Sequence, residues 1–137
     1  MKKPLRIFHT TGIWAPILVL ILHECLSIPG WRTQIDWLNH FAGGASFTFF
    51  AWKSLPLLSQ WTGQPTATGR LAAAFLSGCT AALLWDVGEF TSDLVLHTTI
   101  QKSLHETMMD LVNGFLGTTM TVLLLALLTR KPEPSRP

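Results

Sequence analysis

A chain of 137 residues that is 48% hydrophobic and 13% charged, with six Trp and no Tyr, is too apolar for a soluble domain of this size. Its formal net charge of +2 offers nucleic acid no basic footprint. The composition predicts a single membrane-embedded, all-α domain over residues 1–131 and a short Pro-rich tail over 132–137.

Four apolar runs follow in chain order. The first, about 12–28, reads GIWAPILVLILHECLSI and closes at Pro29-Gly30. MKKPLR would serve as the basic leader of a signal peptide, but His23-Glu24-Cys25 has neither a small-x-small cleavage pattern nor a lipoprotein box, so this run is expected to be a retained helix. The second runs about 36–58 and is interrupted late by Lys53 and Pro56. The third, about 71–94, contains AALLWDVGEFTSDLVL, and the fourth, about 106–129, ends before Arg130. Each approaches the ~20 residues that a helix needs to cross a ~30 Å hydrocarbon core. No period-2 alternation supports a barrel. The expectation is an integral membrane bundle of four transmembrane helices. Cys25 and Cys79, in different runs and without metal-finger spacing, are expected to be buried thiols.

Lys2, Lys3, Arg6, Lys53, Arg70, Arg130, Lys131 and Arg136 fall on one side of such a bundle, eight of ten basic residues, leaving Arg32 and Lys102 on the other. The positive-inside rule then places both termini in the cytoplasm. Trp31 and Trp37 would sit at the outer interface, and Trp14, Trp52 and Trp61 near the inner one.

The acids sort with this topology. Glu24, Asp36, Asp86, Glu89, Asp93, Glu106 and Asp110 fall in the outer half, and of the eight acids only Glu133 does not. His23, His40, His97 and His105 go with them. Acidic residues contribute little to orientation, so insertion does not require the bias. Asp36 and His40 are i,i+4; Asp86, Glu89 and Asp93 are i,i+3,i+7; Glu106, Asp110, Asn113 and Gly117 form one stripe of the fourth helix. Asp86, Asp110 and Asn113 would lie roughly 5–10 Å below the outer boundary. Asp93 and Glu106 are expected to be wet loop-edge residues. The inner members, Asp36, His40, Asp86, Glu89, Asp110 and Asn113, predict a shared polar pocket open to the outside.

Three chemistries fit such a pocket. The carboxylates and imidazole suit a divalent metal ion, zinc, manganese or magnesium, with Asp36, His40, Asp86, Glu89 and Asp110 as the tentative ligands. Spacing assigns none of them, since His105-Glu106 has Met109 where a zincin helix needs its second His. Crowded carboxylates cannot all ionise, which sets an acid beside a base, as hydrolysis of a lipid-linked sugar or phosphate needs. Alternatively, the carboxylates form a cradle for a cationic or hydroxyl-rich ligand. No activated nucleophile stands out, because Ser46 and Thr48 are expected to bond back to the backbone.

Asp36-x-x-x-His40-Phe41, then Glu89, then Asp110-Leu-Val-Asn113-Gly114-Phe-Leu-Gly117, resembles the DxxxHF … E … DxxNxxG pattern of VanZ-like membrane proteins. WDVGEF, Trp85 to Phe90, is similar to a WExxEF-type helix of the related YjdF-type family. The resemblance spans residues 36 to about 117 and implies a small multi-helix protein of a bacterial inner membrane, engaging a cell-envelope component. Asp36 is followed by Trp where Lys is common, and Asp86 and Asp93 make this pocket more acidic.

These observations favour a VanZ-like protein that binds or modifies a polar or lipid-linked envelope component through Asp36, His40, Glu89, Asp110 and Asn113, with Asp36, His40, Glu89 and Asp110 as candidate catalytic groups. A metal-dependent intramembrane hydrolase or transferase using the same residues plus Asp86 is the alternative. A small proton- or cation-coupled transporter comes third, because the inner half of the bundle has no acid or His to continue a pathway. The ligand count separates the first two: four or more converging carboxylate and imidazole groups favour an ion.

Overall fold

In a computed structural model, the described residues are 3–26 and 32–129, and every regular element among them is helical. Pro29-Gly30, Trp31 and the tail from Arg130 onward lie outside them. The helices are α1 (Lys3–Thr11), α2 (Trp14–Leu26), α3 (Arg32–Ser54), a one-turn α4 (Ser59–Thr62), α5 (Ala67–Leu96) and α6 (Leu104–Thr129). A 3₁₀ turn, Leu55–Leu58, joins α3 to α4. Lys3–Thr11, taken in the sequence as a basic flank, is a helix in its own right.

Local chemistry explains the boundaries. Gly12, at φ 72°, turns the chain between α1 and α2, and an added Cβ there would meet the Phe49 ring at 2.8 Å. Pro16 is tolerated in α2 because it sits in the first turn. Regular α3 stops at Ser54, and Pro56 follows inside the 3₁₀ turn. Thr66 caps α5, its hydroxyl accepting from Gly69 N at 3.0 Å, and His97 closes that helix in the left-handed conformation. Ser103 caps α6, with its Oγ accepting from Glu106 N at 3.2 Å.

α3 is the central helix, packed against α2, α5 and α6, while α5 and α6 also pack on each other. Close approach is set by glycine. An added Cβ at Gly44 would collide with the Gly114 carbonyl, and one at Gly117 with the Phe41 carbonyl. Gly78 of α5 fits against Thr48 and Thr118. Small-residue contacts of this kind are the packing of membrane helices.

The distribution of polarity is inverted relative to a soluble bundle. Among the described residues the buried polar ones are His23, His40, Ser46, Thr48, Asp86, Asp110 and Thr118, whereas the buried hydrophobic ones are Ala74 and Leu125 alone. Leu84, Leu94, Leu127 and Leu128 are more than 60% exposed. An apolar skin around a polar interior is stable in lipid, where the hydrophobic effect does not pull leucines inward. α5 and α6, at 30 and 26 residues, are each long and apolar enough to cross a membrane, and the apolar stretch Trp14–Cys25 is shorter.

The same inversion corrects the expectation for the thiols. Cys25 is exposed and Cys79 half-buried. A thiol can turn outward in a bundle whose surroundings are themselves apolar.

Candidate metal centre

Each polar stripe occupies one helix, and the packing of α3 against α5 and α6 turns three of them inward. Asp36 and His40 come from the first half of α3, Asp86 and Glu89 from the second half of α5, and Asp110 from the second turn of α6. Their ligating atoms form two overlapping groups, Asp36–His40–Asp110 and His40–Asp86–Glu89, each within 4.8 Å across. His40 belongs to both.

His40 Nε2 lies 3.7 Å from Asp36 Oδ1 and 3.8 Å from Asp110 Oδ2. These separations are too long for hydrogen bonds. They are close to those of ligands sharing one cation, since two atoms each ~2.1 Å from a tetrahedral ion stand roughly 3.4 Å apart. His40 Nε2 and both carboxylate oxygens of Asp86 are buried without a hydrogen-bond partner. His40 is 5% exposed and Asp86 4%, so solvent does not satisfy them in place of protein. Buried polar atoms are almost always paired, and a bare buried carboxylate is especially costly.

Neighbouring side chains hold the cluster in place. Trp85 Nε1 donates to Glu89 Oε1 at 2.9 Å. The Trp85 ring meets the His23 ring edge-on, centroids 5.2 Å apart, and His23 Nδ1 pairs with Asn39 Nδ2 at 3.3 Å. α2 is thereby tied to the α3–α5 pair at the level of the cluster. On the side of the α5–α6 loop, Asp93 accepts from Thr98 Oγ1, Ile100 N and Gln101 N at 2.6–2.8 Å. Gln101 then donates its amide to the Asp86 carbonyl at 2.9 Å. Asp93 organises this loop. Glu106 pairs with Lys102 at 3.6 Å and accepts from its backbone N–H.

Of the six inner residues singled out in the sequence, Asp36, His40, Asp86, Glu89 and Asp110 meet in space. Asn113 does not join them, because its amide donates to Met109 O on its own helix at 2.8 Å. Trp85, His23, Asn39 and Gln101 support the cluster without having been singled out for that role. A donor i,i+4 from an acid, as Trp85 is to Glu89, is the one such signal the sequence carried. Ser46 and Thr48 bond back to Gly43 O and Gly44 O, as expected of hydroxyls in apolar helices.

Two openings reach the cluster. A depression of about 550 Å³ is bounded by Asp86, Asp93, Gln101 and Lys102. A second, apolar cavity of about 280 Å³ lies between α2, α3 and α5 and reaches His40.

A family model described as "Predicted membrane protein (DUF2238)" matches residues 5–131, nearly the whole chain. The chain belongs to this family. The DUF2238 match covers every residue of the cluster and both of its openings. An uncharacterized protein of Thermotoga maritima is 37% identical over 84 residues, 60% of this chain and 42% of that protein, so the aligned part spans less than half of the relative. No solved structure matches the DUF2238 chain.

Proposed function

We propose that this DUF2238 protein is an intramembrane metal-dependent hydrolase or transferase, with one divalent cation held by the carboxylate–histidine cluster. The observation that carries this reading is the convergence of five ligating side chains from three helices, with His40 Nε2 and both Asp86 oxygens buried and unpartnered. The five groups form two sets of three that share His40, and each set is close enough to hold one ion. A cation also offsets the mutual repulsion of four carboxylates. The donor set, carboxylate oxygens with one imidazole, suits zinc, manganese or magnesium.

Asp36, His40 and Asp110 are assigned as the ligands, in line with the three protein ligands and open position of catalytic zinc sites. Such an ion, when bound, polarises a phosphoryl or carbonyl oxygen and acidifies a water molecule. Asp86 borders the depression beside the α5–α6 loop and accepts the proton of the incoming water at a carboxylate oxygen. Glu89, fixed by the Trp85 indole, holds the polar end of the substrate, and Asp86 passes the proton it has taken on to the leaving group.

The reading includes four transmembrane helices, both termini cytoplasmic, and the cluster facing outward from a bacterial inner membrane, as the basic residues imply. The substrate is then a lipid-linked envelope component, the class to which the VanZ-like resemblance of residues 36–117 also points.

Elemental mass spectrometry on detergent-purified protein tests the proposal. Near-stoichiometric zinc, manganese or magnesium is expected in the wild type and is lost in His40→Ala and Asp110→Asn, while membrane insertion is unchanged. Asp86→Asn should retain the metal and lose turnover. A metal-free wild type, after expression with all three ions supplied, would overturn it.

A further inference from the structure

The cavity between α2, α3 and α5 is unlike the depression beside the loop. Its walls are hydrocarbon: Ile17 and Leu20 of α2, Phe47 and Phe50 of α3, and Ala81 of α5. Apart from Ser46, whose hydroxyl bonds back to Gly43 O, its polar groups gather at one end, where His23, Asn39, His40 and Trp85 line it. His40 also belongs to both groups of the cluster, so the apolar cavity meets the proposed metal centre at His40, the one cluster residue that lines it.

The dimensions limit what can enter. The lining extends from Ile13, just before α2, to His23 in its last turn, a distance of roughly 15 Å. A length of roughly 15 Å of even a 10 Å-wide helix occupies roughly 1,200 Å³, more than the about 920 Å³ of empty space in and in front of the cavity. A helix of another protein, or of a second copy, does not fit; one unbranched or prenyl hydrocarbon chain does. The polar end then selects the head, since a cation held by Asp36, His40 and Asp110 attracts an anionic phosphate.

We infer that the α2–α3–α5 cavity holds the single hydrocarbon chain of a lipid phosphate, placing its phosphate head at the carboxylate–histidine cluster. The choice of head rests on the metal reading above; the seating of the chain rests on the shape and lining of the cavity. Alkyl and prenyl phosphates share this chemistry and differ only in the tail.

Gly43 provides the test. It lines the cavity, and an added Cβ there meets nothing within 4 Å, so the side chain of Gly43→Leu starts into open space. Equilibrium binding to the full-length, manganese-loaded protein in detergent is measured with hexadecyl phosphate, farnesyl phosphate and, as the uncharged control, hexadecanol. Metal content is determined on the same samples. At least one phosphate should bind the wild type and weaken tenfold or more in Gly43→Leu, whose metal content stays unchanged. Preference for the hexadecyl probe would assign an acyl-type source, and preference for the farnesyl probe an isoprenoid one. If Gly43→Leu does not fold, Ala81→Leu, on the facing wall, is read in the same way.

Equal binding of the phosphates to wild type and filled variant would mean annular lipid only and overturn the inference. Hexadecanol binding as tightly as the phosphates would overturn the assignment of the head. A metal-free wild type whose hydrocarbon binding is still abolished by Gly43→Leu would retain the chain site and remove the metal reading.

Discussion

The middle of the bundle and its His40 end are built by the same three helices but solve opposite problems. In the middle, Gly44, Gly78, Gly114 and Gly117 bring backbones together, and Thr48 satisfies its hydroxyl on Gly44 O at 2.7 Å. At the other end, Asp36 and Asp110 stay 3.7–3.8 Å from His40, and His40 Nε2 and the Asp86 carboxylate of α5 remain unpartnered. Packing is completed in one region and left incomplete in the other. A protein that only needed cohesion would not place buried carboxylates where glycines would pack, because hydrogen bonds between membrane helices contribute only ~0.6 kcal/mol on average.

The largest expected effect comes from breaking the packed region. Gly44→Ala drives a methyl into the Gly114 carbonyl and should cost about 3 kcal/mol, in the upper range for overpacking. Gly43→Ala, one residue away and facing open space, should be neutral or stabilise by up to about 1 kcal/mol through helix propensity. Detergent-unfolding midpoints of the pair give the answer. Equal losses would show that glycine is needed at α3 for a reason other than the α6 contact.

The second effect should have the opposite sign. Asp86→Leu removes two buried, unpartnered oxygens and should stabilise the metal-free protein by about 1–3 kcal/mol while abolishing activity. The measurement is again unfolding, made after chelation so that ligand stabilisation does not mask the change. Destabilisation by Asp86→Leu would mean that the carboxyl supports the fold and would bring the two regions under one explanation.

Much of this contrast was legible in the sequence, and the reason is helical geometry. Asp36/His40 and Asp86/Glu89 are close on their own helices whatever the tertiary structure, so their spacing alone placed each pair on one face. Glycines 114 and 117 beside Asp110 similarly indicated which face of α6 meets a neighbour. The sequence did not disclose what Asn113 does with its amide, because a side chain on the right stripe can still turn back to its own backbone, as it does to Met109 O. Nor did it disclose the links of α2. His23 reaches Trp85 and Asn39 through interhelical distances that no spacing encodes. The apolar cavity is a volume left between three helices and has no motif.

The smallest effect concerns Thr118, which shares features of both regions: it lies in the packed middle, fully buried beside Gly78, yet its Oγ1 has no partner. If incomplete pairing marks function wherever it occurs, Thr118→Val should reduce activity. A different outcome follows from chemistry. A hydroxyl is neutral, far cheaper to leave unpaired than a carboxylate, and Val is nearly isosteric with Thr. Thr118→Val should therefore leave activity unchanged and shift stability by no more than about 1 kcal/mol, toward the folded state. Unfolding midpoints and metal content, measured side by side with the wild type, decide between these outcomes. Loss of metal in Thr118→Val would extend the functional region down into the glycine-packed centre. Retention would show that charge, rather than the missing partner alone, distinguishes the His40 end.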